Sequence, residues 1–181
     1  VFEAVLHRRE SVLLMGAPGT GKSFLLNVLV ERLPRPMVTA SSAAAADKLD
    51  GASTLHSALG LGFGQRSAEK IVARLASFEC YGQHSTMACI KATKTLVVDE
   101  VSMLSGKTLS LVEEVLLLAR GGKKRMPQLV FSGDPMQLAA VDAKENGPFY
   151  TTGVVQRLRP YVLTEPFRQL ESSPFLRIHN S

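Results

Sequence analysis

GAPGTGKS, residues 16–23, follows a short apolar run closed by glycine, SVLLMG (11–16), and precedes apolar residues at helical spacing, Phe24, Leu25, Val28 and Leu29. Strand, glycine loop and helix in that order form the setting in which backbone N–H groups converge on the phosphates of a nucleotide. The candidate nucleotide-binding residues are Gly16, Ala17, Pro18, Gly19, Thr20, Gly21, Lys22, Ser23 and Phe24. Lys22 has the position of the lysine that reaches the β and γ oxygens, and Ser23 that of the hydroxyl that binds magnesium. The competing reading, a glycine-rich turn with an incidental lysine, gives no reason for the strand before it and the helix after it.

Working outward, the helix ends at about Leu33, ahead of Pro34 and Pro36. MVTA, from Met37, reads as a second short strand, and the Ala-rich AAAADKL behind two serines reads as a capped helix start. SAEKIVARLASF (67–78) has helical spacing with Ser67 as its cap, whereas residues 79–93 lack periodicity and read as loop. TLVVDE is a third strand, LSLVEEVLLLAR a helix closed by Gly121 and Gly122, and QLVFSGD a fourth strand. The GGKKR stretch between them suits a solvated helix end, where cations meet the dipole. After Val141 the sequence predicts a loop, then a strand and turn in YVLTEPFRQ and a capped helix in SSPFLRIHNS. Apolar strands alternating with helices point to an α/β fold, a mostly parallel sheet flanked by helices.

Two carboxylates close the third strand. In LVVDEVSML, Asp99 and Glu100 end an apolar run, although neighbouring carboxylates repel each other and are costly in apolar surroundings. With Lys22 and magnesium nearby, Asp99 becomes a metal ligand beside Ser23, and Glu100 a base aimed at an attacking water. Without GKS, an acidic helix cap would be the simpler account. In FSGDPMQL, Asp134 and Gln137 share a turn that Pro135 helps to fix; an ordinary Asx turn and an amide sensor of the γ-phosphate fit this spacing equally. Arg168 in PFRQ is a further candidate phosphate contact.

Bulk properties narrow the classes. The 181 residues suit one compact core, and a net charge of +5 with a pI near 9.4 leans toward polyanionic partners. Cys80 and Cys89, with His84 between them, match no common zinc spacing and read as free thiols. No apolar run reaches the ~18 residues of a membrane span.

In order, GAPGTGKS, VTASSAAAADKLDGASTLHS, LVVDEVSML, FSGDPMQLAAV and LTEPFRQ resemble motifs I, Ia, II, III and IV of superfamily-one helicases. The Pif-type DNA helicases are the closest resemblance and the RecD-like enzymes the next. The resemblance implies a RecA-like P-loop NTPase fold, ATP and Mg2+ as cofactors, and single-stranded DNA as partner. It also implies a monomer moving 5′-to-3′ in DNA repair and recombination, nuclear or mitochondrial in a eukaryote. By position it assigns Glu100, Gln137 and Arg168 to catalysis and Ser23 and Asp99 to the metal. Thr39, Ser41, Ser42, Thr54 and His56 would line the single-strand path, where hydroxyls and N–H groups contact phosphates without reading sequence.

Residues 1–142 would then be the RecA-like ATP-binding domain, and 143–181 its continuation toward a second motor domain that this chain lacks. The adenine-reading glutamine would fall upstream of Phe2. Such a unit is expected to bind nucleotide weakly and not to unwind DNA by itself. Ala43 stands where the family usually has glycine, and RMPQLVF replaces its Pro-Phe-Gly-Gly turn. Two alternatives remain beside this reading: an AAA+-type NTPase without helicase activity, and a catalytically silent nucleic-acid-binding remnant of the fold.

Overall fold

The computed structural model describes residues 1–62, 67–77, 85–122, 126–134, 136–137 and 143–165. Six strands form one sheet: β1 (Val12–Gly16), β2 (Pro36–Ala40), β3 (Ser53–Thr54), β4 (Thr95–Asp99), β5 (Gln128–Gly133) and β6 (Arg159–Leu163). Their order is β3-β2-β4-β5-β1-β6, and every pairing is parallel. All strand C-termini therefore lie along one edge, so the loops that leave β1, β4 and β5 are neighbours in space.

Helices connect the strands: α1 (Lys22–Val30), α2 (Ala43–Ala46), α3 (Leu55–Ala58), α4 (Ala68–Ser77), α5 (Thr86–Ala92), α6 (Gly106–Arg120), α7 (Ala143–Asn146) and α8 (Gly153–Gln156). Period-two alternation in the strands divides the core into two layers. Val12, Leu14, Val97 and Val130 pack with Leu26 and Leu29 of α1 and with Val5 of an N-terminal π-helix, Glu3–His7. Leu13, Leu96, Val98, Leu129 and Phe131 face the other way, onto α4, α5 and α6. Each fully buried Leu, Val or Phe contributes ~1.5–3 kcal/mol, which explains why strands covered on both faces read as unbroken apolar runs.

Local chemistry sets the helix ends. Ser42, Thr54, Ser85 and Ser105 each accept a hydrogen bond from the N–H three residues on, and so cap α2, α3, α5 and α6. Gly121 closes α6 in the left-handed conformation at φ 72°. The loop expected over 79–93 is corrected in part: Ser85 starts α5, which buries Met87 and Ile90 against the main core. Only two of its seven residues are buried, so the small and apolar residues around them blur the helical period in the sequence, and tertiary packing supplies the rest. Residues 78–84 (with Cys80 and His84), the Lys123–Arg125 cations and the expected helix in 172–181 lie outside the described residues, whereas Cys89 is an exposed free thiol.

At the opposite edge of the sheet Gln128 ties the N-terminal segment down. Its amide donates to the carbonyls of Val5 (2.8 Å) and Glu10 (2.9 Å) and accepts from Thr95 Oγ1 (3.2 Å). Replacing Gln128 by Ala leaves these buried groups without partners. The expected loss is about 2 kcal/mol, a fall in Tm of roughly 4–8 °C by differential scanning calorimetry, whereas an unchanged Tm would show the N-terminal segment to be held by packing alone.

Candidate functional site: a phosphate loop facing a carboxylate pair

The loop between β1 and α1 is shaped by its glycines. Gly19 and Gly21 both have φ 84°, a conformation costly for residues with a Cβ. Gly16 is needed for space: a Cβ there would lie 2.6 Å from Thr20 Oγ1 and 2.8 Å from the carbonyl of Leu163 in β6. Thr20 donates to the Ala17 carbonyl at 2.9 Å and stiffens the turn. The buried Lys22 ammonium donates to the carbonyls of Gly16 (2.7 Å) and Ala17 (3.1 Å), so the cation rests inside its own loop. Phe24, in the first turn of α1, is 75% exposed.

Opposite the loop, β4 delivers Asp99. Although β5 separates β4 from β1, the Ser23 hydroxyl donates to Asp99 Oδ2 at 3.0 Å. The other carboxylate oxygen, Oδ1, accepts the N–H of Glu100 at 2.9 Å. Asp99 is buried, and its carbonyl accepts the Ser41 N–H at 3.1 Å, which ties the end of β2 to the same corner. Glu100 stands in the left-handed region at φ 52°, strain of ~1 kcal/mol or more for a residue with a side chain. That backbone turn swings Glu100 out of the strand direction and starts the 3₁₀ turn Val101–Met103. Gly133 lets this turn approach, since a Cβ there would meet Val101 Cγ1 at 3.0 Å and the Ser102 N at 3.1 Å.

Burial, followed by the adjacent Asp99 charge, raises the Glu100 pKa; Lys22 and Lys48 oppose the shift and Asp134 adds to it. Asp134 itself closes an Asx turn, its Oδ1 accepting from the Met136 N–H at 2.9 Å and its carbonyl from the Gln137 N–H at 3.1 Å. The turn and the sensor are therefore compatible, because the Asx turn fixes the backbone that carries half-buried Gln137. Pro135 and Arg168 lie outside the described residues.

The residues expected along a strand path divide. Thr39 is corrected: it is fully buried, and its hydroxyl donates to the Val97 carbonyl at 2.7 Å, so its side chain joins two strands and reaches no surface. Ser42 and Thr54 are helix caps, and Ala43 begins α2, where alanine suits the helix without glycine's freedom. Ser41 keeps an unpaired buried hydroxyl, and His56 is exposed on α3. Sequence reasoning missed Lys48 and Asp134 as members of the electrostatic field around Glu100, because their approach depends on tertiary structure.

A parallel sheet that brings a phosphate loop, a buried Asp and an adjacent Glu to its C-terminal edge defines a RecA-like P-loop nucleotide-binding domain. The chain belongs to the PIF1-like helicase family, whose family model matches residues 1–157. Among curated relatives it is 36% identical over 187 aligned residues to the ATP-dependent DNA helicase PIF7 of Trypanosoma brucei brucei, covering 97% of this chain and 18% of that protein. It is 37% identical over 145 residues to PIF1 of Xenopus laevis, covering 78% of this chain and 22% of that one. The crystal structure of Pif1 helicase from Candida albicans superposes with a TM-score of 0.82 at 29% identity, over 98% of this chain and 42% of that chain. Bacteroides Pif1 bound to single-stranded DNA gives 0.69 at 25% identity, over 96% and 42%. The chain spans about a fifth of the length of the curated relatives it matches.

The electrostatics of Glu100 have a measurable sign. Its folded pKa is raised above the ordinary value of 4.5, so the folded state holds this proton more tightly than the unfolded chain. The associated stability is full below pH 4.5 and is lost as pH rises through the folded value. In metal-free protein, Glu100→Gln is therefore expected to raise Tm at pH 7, with a gap to the parent that closes on acidification. A lower Tm for Glu100→Gln at pH 7 would show the carboxylate to be a stabilising ion-pair partner.

Proposed function

We propose that this chain is the first motor domain of a DNA helicase, which couples ATP hydrolysis to 5′-to-3′ movement along single-stranded DNA. The observation that carries this reading is the 3.0 Å contact between Ser23 and Asp99, with Lys22 buried beside it and Glu100 one residue further on. A hydroxyl and a carboxylate converging from two elements make an all-oxygen donor set that fits Mg2+. When bound, that ion would neutralise charge on the β and γ oxygens. Lys22 leaves its loop carbonyls for the phosphates, and Gln137 and Arg168 contact the γ-phosphate.

Glu100 accepts the proton of the attacking water. Its raised pKa brings the base closer to neutral pH, which favours proton transfer while leaving the carboxylate ionised in the presence of a cation. Ser41, Ser42, Thr54 and His56 lie on the segments that leave β2 and β3 and meet the DNA backbone. The bond from the Ser41 N–H to the Asp99 carbonyl links that segment directly to the catalytic corner. Residues 1–142 carry nucleotide binding, and 143–181 lead toward a second motor domain whose closure completes the site in a monomeric enzyme. DNA repair and recombination are the settings for such a motor.

The test is ATP hydrolysis by the full-length protein with and without single-stranded DNA. We expect strong stimulation by DNA, a loss of ~10²–10⁴-fold in Glu100→Gln with nucleotide binding retained, and weakened nucleotide binding in Lys22→Ala. Hydrolysis indifferent to DNA would contradict the helicase reading, and equal loss of binding in both variants would make Glu100 a structural residue.

A further inference from the structure

Among the described residues, five buried side-chain polar atoms lack a hydrogen-bond partner: Ser41 Oγ, Arg74 Nε, Glu100 Oε2, Ser102 Oγ and Ser132 Oγ. Four of the five lie at or just after the C-terminal ends of β2, β4 and β5, whereas Arg74 lies on α4. A buried donor without a partner is unfavourable, and clustering at one edge points to groups that arrive with a ligand.

Ser132 is the most informative of them, being fully buried. Register fixes where it points. Thr95 pairs with Gln128 and Val97 with Val130, and the Thr95–Gln128 side-chain bond shows that these residues share a face. Continuing by two places in each strand brings Ser132 beside Asp99. On its other side Ser132 pairs with Leu14, which faces α1. The Ser132 hydroxyl thus lies on the α1 face of the sheet, in the row between the phosphate-loop strand and Asp99, where Ser23 already reaches across.

We propose that Ser132 is a positioning residue of the nucleotide site, whose hydroxyl holds a water of the hydrated cation bound by Ser23 and Asp99. The inference rests on the reading of this site as a Mg2+–nucleotide site. Mg2+ sheds its waters reluctantly and keeps several when protein supplies only one or two ligands. Those waters need fixed acceptors and donors, and partners outside the coordination sphere commonly change metal affinity by ten- to a hundredfold. A serine two places after Val130 is small enough to leave room for such a water and polar enough to orient it, and the same position filled by an apolar side chain would expel it.

The test is a Mg2+ titration of fluorescent ATP-analogue binding to this chain, with Ser132→Ala alongside the parent, and melting of both proteins free of metal. The expected result is a rise of roughly tenfold in the half-saturating Mg2+ concentration for Ser132→Ala, with nucleotide affinity in EDTA unchanged and the metal-free Tm equal or higher. An unchanged Mg2+ requirement would overturn the proposal. So would a metal-free Tm several degrees lower, which would make the hydroxyl a structural one. Absence of Mg2+-dependent binding in the parent itself would instead overturn the reading of the site, and Ser132 with it.

Discussion

The contact between Ser23 and Asp99 at 3.0 Å is the point on which the site depends. These residues are 76 apart in the chain: Ser23 opens α1 behind β1 and Asp99 ends β4, and β5 lies between those two strands. Because β1, β5 and β4 run parallel, the loop that follows β1 and the end of β4 lie at the same edge. The apolar layers on the two faces hold the strands in register, so the packing of Leu14, Val97 and Val130 against α1 fixes where a hydroxyl and a carboxylate meet.

Electrostatic tension accompanies that arrangement. Asp99, Glu100 and Asp134 gather near one buried ammonium, Lys22, and burial with the Asp99 charge raises the Glu100 pKa. Unpaired polar atoms collect at the same edge. Such groups cost stability, and their gathering at the ends of three strands supports the proposed cation and nucleotide site. Lys22 meanwhile rests on the Gly16 and Ala17 carbonyls, which satisfy its charge; in the proposed function phosphate oxygens take their place.

Much of this was legible in the sequence because the decisive signals are local. The glycines of GAPGTGKS are required by φ at Gly19 and Gly21 and by space at Gly16, and four apolar runs became β1, β2, β4 and β5. Ser42 announced its helix through its own side chain. What was not legible needed the third dimension. The resemblance set Thr39 on the single-strand path, yet its hydroxyl serves the Val97 carbonyl inside the sheet. Helix α5 holds only two buried apolar residues, so its pattern vanishes among loop-like composition. The left-handed turn at Glu100 and the close approach at Gly133 arise from one another's packing, and no spacing rule reveals them.

A double-mutant cycle on Ser23 and Asp99, read as Mg2+-dependent nucleotide affinity, tests the convergence of these residues on one cation most directly. If both hold the same ion, Ser23→Ala and Asp99→Ala are strongly non-additive, and the double variant is little worse than the weaker single one. Additive losses would mean that the two residues act at separate places and would contradict the account.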